Sequence, residues 1–326
     1  MIQTVSFPIS NECIQPYGSW DALRQSVYAL GLDGIEAIDN PYETVMGFPD
    51  DLAAGYHMTF FVDWLDFWRQ DETKLLRKFD CWDMIEQIYG GKTPEDLLRR
   101  FQADLAIGQR LKAPYMVFHV SDVSLEEGYT YRWLHTDKEV LDGAIEFINL
   151  LFADVEPTFD LLLENQWWPG FKFTEPAMTE YLLSRIEYPR VGIMLDTGHL
   201  MNVNTTIQNE ADGIKWILEN IEKHGELSKR IYGLHFHQSV SGDYVRTHTG
   251  SLPPEYSSSY YRNFGMSYSH IQKIDRHLPW TDTDCVKILH AVQPKYLTHE
   301  LSSAPDRPLL DSVKLQLDTI QKGYNR

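Results

Sequence analysis

The chain has 326 residues, 43% hydrophobic and 13% aromatic, and a formal charge of −18 at pH 7. That length buries a full core without covalent staples, and the acidic balance disfavours general attraction to phosphate backbones or anionic membranes. Three widely spaced cysteines, Cys13, Cys81 and Cys285, form no CxxC pair, which argues against a disulfide framework or a thiolate zinc site and suits a reducing compartment.

The opening MIQTVSFPIS lacks the basic and apolar regions of a secretion signal, and no apolar run approaches the ~20 residues of a bilayer span, so a cytoplasmic location is expected. Short β-rich runs then recur along the chain: IQTVSF (2–7), GIEAID (34–39), GYHMTFF (55–61, with poorly punctuated ends), YMVFHV (115–120), DLLLEN (160–165), VGIMLD (191–196), IYGLHFH (231–237) and YLTHEL (296–301). Most are continuously apolar, as strands buried on both faces should be. Amphipathic segments lie between them, with Ser19 as N-cap of SWDALRQSVYALG and Thr93 followed by Pro94 opening TPEDLLRRFQADLAIGQRLKA. Only the connection after the second run, 41–54, lacks a helical pattern. Eight strands alternating with seven or eight helices predict a single (β/α)8 TIM barrel over residues 1–326. The alternative, a doubly wound sheet, would carry a Gly-rich turn after the first strand, and none is there. Two connections, 62–92 and 238–281, are long enough to build or cover an active site at the C-terminal end of the strands.

Several runs end on groups that carry chemistry. His119 closes the fourth, Glu164 the fifth, Asp196 the sixth, His235 and His237 the seventh and Glu300 the eighth, while His57 falls inside the third. Parallel barrel strands deliver their C-terminal ends to one mouth. A lone histidine or carboxylate there can be a structural hydrogen-bonding group or a helix cap, as Asp196 ahead of TGH could be. Burying each costs several kcal/mol without a partner, and one divalent cation satisfies carboxylates and imidazoles together.

LLLEN with Glu164, IMLDTGH with Asp196 and His199, YGLHFH with His235 and the terminal THE with Glu300 together resemble the xylose isomerase-like TIM barrels, also described as AP endonuclease family 2, over about residues 34–301. The resemblance implies a shared divalent metal, manganese or zinc in the first place and magnesium or cobalt otherwise, held by Glu164, Asp196, His235 and Glu300. In its sugar-epimerase branch, Glu164 and Glu300 would exchange a proton on the two faces of an enediolate, with His199 orienting substrate. Its endonuclease IV branch uses three zinc ions on phosphodiesters; His57 and His119 with a bridging Glu164, and His199 with His248, match that pattern. The chain departs from it at Arg246, where an aspartate is expected, at GSLPPE, and in the N-terminal loop that contacts DNA.

Trp64, Phe67 and Trp68 follow the third run, and Trp167 and Trp168 follow Glu164. These rings can stack on a sugar or pack a loop down. Arg246 can hold an anionic substrate group or form a surface ion pair, and His237 can face the same mouth as His235. SSSYYRNFGMSY offers a mobile lid or a surface for a homo-oligomer. The expectation is a metal-dependent isomerase or epimerase acting on a small sugar, without nucleic-acid or membrane partners. The rivals are a zinc phosphodiesterase and a barrel that binds metal or sugar without turnover.

Overall fold

Continuous apolar runs bury both faces only if helices cover one side and other strands the other. The computed structural model, which describes residues 1–39, 45–79, 81–303 and 307–325, meets that demand by closure. Eight parallel strands follow chain order: β1 (Ile2–Ile9), β2 (Gly34–Asp39), β3 (Ala53–His57), β4 (Tyr115–His119), β5 (Asp160–Glu164), β6 (Val191–Asp196), β7 (Ile231–His235) and β8 (Tyr296–His299), with β8 pairing back onto β1. The predicted (β/α)8 barrel is the observed fold.

The caps read from sequence are in place. Ser19 accepts the Ala22 N–H at the start of Trp20–Ala29, and Thr93 with Asp96 forms a capping box ahead of Pro94–Arg110. Thr136 with Glu139 does the same for Asp137–Phe152. The buried face of Pro94–Arg110 carries Leu97, Phe101 and Leu105 at helical spacing. Phe101 meets Phe118 of β4 at 5.5 Å and Phe147 of the next helix at 4.9 Å, so strand and helices share one core. A second buried cluster, Tyr115, Val117, Leu162, Met194 and Tyr296, is drawn from strands alone and fills the barrel interior.

Several strand boundaries differ from expectation. The third strand begins earlier and ends at His57, which makes His57 a strand-end residue rather than an interior one. His237 and Glu300 lie just past the ends of β7 and β8. After β2, residues 45–49 are not helical and Asp50–Leu52 is a single 3-10 turn, while residues 40–44 of that connection lie outside the described residues. The 62–92 connection contains the helices Leu65–Trp68, Glu72–Lys78 and Trp82–Tyr89. The 238–281 connection contains Gly242–His248 and Tyr260–Ile274, so the Ser/Tyr-rich stretch is the start of a helix. No helix among the described residues is long and apolar enough to cross a membrane.

Candidate metal centre

Strand side chains alternate faces, so the residue two beyond an inward apolar residue also points inward. Val117 is followed by His119, Leu162 by Glu164, and Met194 by Asp196. Register then brings these ends together: His119 pairs with Glu164, and Asp196 with His235. One cluster comprises Glu164, Asp196, His235 and Glu300, with ligand-capable atoms all within 4.8 Å of one another. A second comprises His57, His119 and Glu164 on the same criterion, so Glu164 belongs to both.

Glu164 is fully buried, and imidazoles approach both its oxygens. His57 Nε2 and His119 Nε2 lie 3.2 and 3.1 Å from Oε2. His199 Nδ1 lies 3.0 Å from Oε1, which also accepts from Gln166 Nε2 at 3.2 Å. The ring orientation of His57 is fixed from behind, because its Nδ1 donates to the Met58 carbonyl at 2.8 Å. Asn165 clasps the Asp196 backbone, accepting its N–H at 2.8 Å and donating to its carbonyl at 3.1 Å. Asp196 Oδ1 accepts the His199 N–H, so this carboxylate does cap the helix Thr197–Val203. Its Oδ2 meets His237 Nε2 at 3.0 Å. Gly198 allows this approach, since a Cβ there would sit 2.0 Å from His237 Cε1.

Charge follows from this crowding. Burial alone would push Glu164 up, but His119 and His235 hold it well below the usual carboxylate range. Burial would lower His235, yet the Glu300 and Glu36 carboxylates lift it well above an ordinary imidazole. His119 is lowered because burial outweighs the pull of Glu164. Like charges 4 Å apart repel by about 4 kcal/mol at an effective dielectric of about 20. Three carboxylates with oxygens within 4.8 Å of one another are therefore not a device for stability.

The third cluster corrects an expectation. His248 does not join His199: it is exposed and stacks on Tyr244 at 4.1 Å. Asp275 and His277 take that place, with His199 Nε2 3.2 Å and His277 Nε2 2.9 Å from Asp275 Oδ2. They stand immediately after the helix Tyr260–Ile274, which packs against the helices Leu125–Thr130 and Gly242–His248. His277 is also within reach of His237 and Glu300 as a group. Burial would lower His277, but Asp275 brings its pKa up to about 9. The carboxylate–x–imidazole spacing of DRH was the available sequence signal.

Other expected substrate contacts separate in the same way. Trp167 is buried with its ring 5.0 Å from His199, and Trp168 packs against Trp167 at a tilt of 39°. Trp64 and Trp68 instead pack on Phe147 of the helix Asp137–Phe152, and Phe67 stacks on Tyr89. Arg246 turns to Asp243 and the Thr205 carbonyl, which leaves it an exposed ion pair. Phe60, which sequence reading passed over, stacks on His119 at 4.5 Å and is 48% exposed.

A closed parallel barrel with acidic and imidazole side chains massed at one rim defines a class of barrel with a rim centre able to hold metal. The sequence places it further: residues 25–316 match the model of the xylose isomerase-like TIM barrel family, and the chain belongs to that family. No curated protein matches it. Among solved structures, endonuclease IV from Thermus thermophilus is similar at 14% identity and a TM-score of 0.53, covering 99% of this chain and 100% of that one. L-ribulose 3-epimerase is similar at 12% identity and a TM-score of 0.53, covering 100% and 95%. The E. coli 3-keto-D-glucoside 4-epimerase is similar at 11% identity and a TM-score of 0.50, covering 100% of both chains. At these identities the likeness is one of fold.

Proposed function

We propose that this protein is a multinuclear metal-dependent hydrolase of small phosphate esters, phosphorylated sugars among them. The observation that carries this reading is Glu164, whose two oxygens are both approached by imidazoles. A carboxylate that takes a proton from a sugar carbon needs an oxygen open to substrate, whereas one shared between cations is enclosed in this manner.

The residues suit divalent cations of the zinc or manganese type: the donors are nitrogen and oxygen only. His235 Nδ1, Glu300 Oε2, Asp275 Oδ1 and His277 Nε2 are buried atoms without hydrogen-bond partners. His57, His119 and Glu164 would hold one ion, Glu164, Asp196, His235 and Glu300 a second, and His199, Asp275 and His277 a third. Such ions supply Lewis-acid polarisation of phosphoryl oxygens and a nucleophile from water near neutral pH. The chain does the positioning. Met58 fixes the face His57 presents, Gln166 steadies Glu164, Asn165 holds Asp196, and Trp167 shields the His199 side from water.

The rim argues for a small substrate over a nucleic acid. Residues 10–19, which follow β1 at that end of the barrel, contain no Lys or Arg and carry Glu12. Tracking a phosphate backbone requires cationic side chains along the groove. A second reading, a sugar isomerase or epimerase, is supported by the Glu164–Asp196–His235–Glu300 set, which suffices for one ion and two carboxylate bases.

Metal content and turnover separate the two. Protein loaded with zinc or manganese should carry two or three ions per chain and hydrolyse p-nitrophenyl phosphate or its bis ester. Glu164→Gln should abolish hydrolysis with an unchanged thermal melt. One ion per chain with sugar C–H exchange into heavy water would give the function to the isomerase reading, and metal uptake without either reaction to a binding barrel.

A further inference from the structure

Below the rim lies a carboxylate that none of the ligand clusters uses. Glu36 is fully buried on β2, a strand that among the described residues supplies no rim ligand. Its Oε2 accepts from Tyr115 Oη at 2.8 Å and Thr298 Oγ1 at 2.9 Å. His235 Nε2 lies 3.0 Å from its Oε1. Thr4 Oγ1 completes the cage, 2.9 Å from Thr298 Oγ1 and 3.3 Å from Tyr115 Oη.

The backbone is shaped to allow this. The β2–β3 register shifts between Ile35 and Glu36, which sets Gly55 opposite Glu36. A Cβ on Gly55 would meet the Tyr115 ring at 2.3 Å. Only a residue without a side chain lets Tyr115 extend across the interior to reach the carboxylate. Four strands besides β2 thus send one side chain each to this spot, although among the described residues β2 supplies no member of the ligand clusters.

We propose that Glu36 is a positioning residue of the metal centre. It accepts the Nε2–H of His235, which fixes the ring and turns Nδ1 toward Glu300 Oε2, Glu164 Oε2 and Asp196 Oδ2, at 2.9, 3.5 and 3.7 Å. Tyr115 and Thr298 hold Glu36 in turn. The inference rests on the metal-centre reading above. A carboxylate behind a ligating imidazole fixes its tautomer and raises its basicity, and removing one costs about 10–100-fold in metal affinity.

The test is a Co2+ titration of metal-stripped protein, followed by visible absorption, on wild type, Glu36→Gln and Tyr115→Phe. Glu36→Gln should bind Co2+ about 10–100-fold more weakly, with a changed d–d spectrum, which a purely structural role would not produce. Tyr115→Phe should show a smaller loss in the same direction. Affinity and spectrum equal to wild type in a folded Glu36→Gln protein overturn the proposal. If that variant does not fold, a Tyr115→Phe protein indistinguishable from wild type overturns it. A wild type that takes up no Co2+ removes the metal centre itself, a result distinct from failure of Glu36 alone.

Discussion

His235 Nδ1 and Glu300 Oε2 lie 2.9 Å apart, and neither atom has a hydrogen-bond partner. Two buried polar atoms this close would ordinarily be turned into a hydrogen bond, since leaving them unmet costs about 1–3 kcal/mol each. Here Glu36 holds His235 from behind, so its Nδ1 and the carboxylate face a common point that Glu164 and Asp196 also approach.

The third cluster makes a direct prediction about which histidine matters. His277→Ala should lose about one ion per chain relative to wild type by plasma mass spectrometry, because the ligand groups overlap and have few spare side chains. His248→Ala, which removes only an exposed ring stacked on Tyr244, should lose none. Equal metal content in His277→Ala and wild type would take Asp275 and His277 out of the centre.

Metal uptake should be pH-dependent with a defined sign. His277 has its pKa raised from 6.5 to about 9 by Asp275 in the metal-free protein, and a cation binds only the neutral imidazole. Affinity should therefore increase as pH rises toward about 9, with protons released on binding. The metal-free fold shows the opposite trend from this group: a raised pKa stabilises fully below 6.5 and the contribution fades as pH rises through about 9. Isothermal calorimetry in buffers of different ionisation enthalpy reads the protons, and uptake that weakens with rising pH would contradict the assignment.

Gly198→Ala tests the packing of the rim. Glycine to alanine inside a helix ordinarily stabilises by about 0.5–1 kcal/mol. At Gly198 the new Cβ would stand 2.0 Å from His237 Cε1, and steric cost of about 1–3 kcal/mol should win. Denaturant unfolding should show a net loss of stability, and a stabilised variant would mean that His237 is free to move aside.

Much of this was legible in the chain. Continuous apolar runs gave the parallel strands, and Ser19, Thr93 and Pro94 marked the helices between them. Asp196 and His119 could be placed at the rim because they close apolar runs, and parallel barrel strands deliver their C-terminal ends to one mouth. His57 was harder, since the apolar MTFF after it hid the strand's end.

Sequence by itself thus settled the barrel and the rim positions of Glu164, Asp196 and His235, because those depend on local periodicity and on strands running in one direction. Tertiary structure decided what no local pattern encodes. Asp275 and His277 reach His199 after a connection of some forty residues, whose helix Tyr260–Ile274 packs on the helices Leu125–Thr130 and Gly242–His248. His248, much nearer to His235 along the chain, is carried outward on a helix of its own. Glu36 reads as an odd charge in an apolar run until closure of the sheet brings His235 from β7 across the interior to meet it. Side chains borne on long connections or facing one another across the barrel are placed by packing between distant segments, and that information is spread over the whole fold.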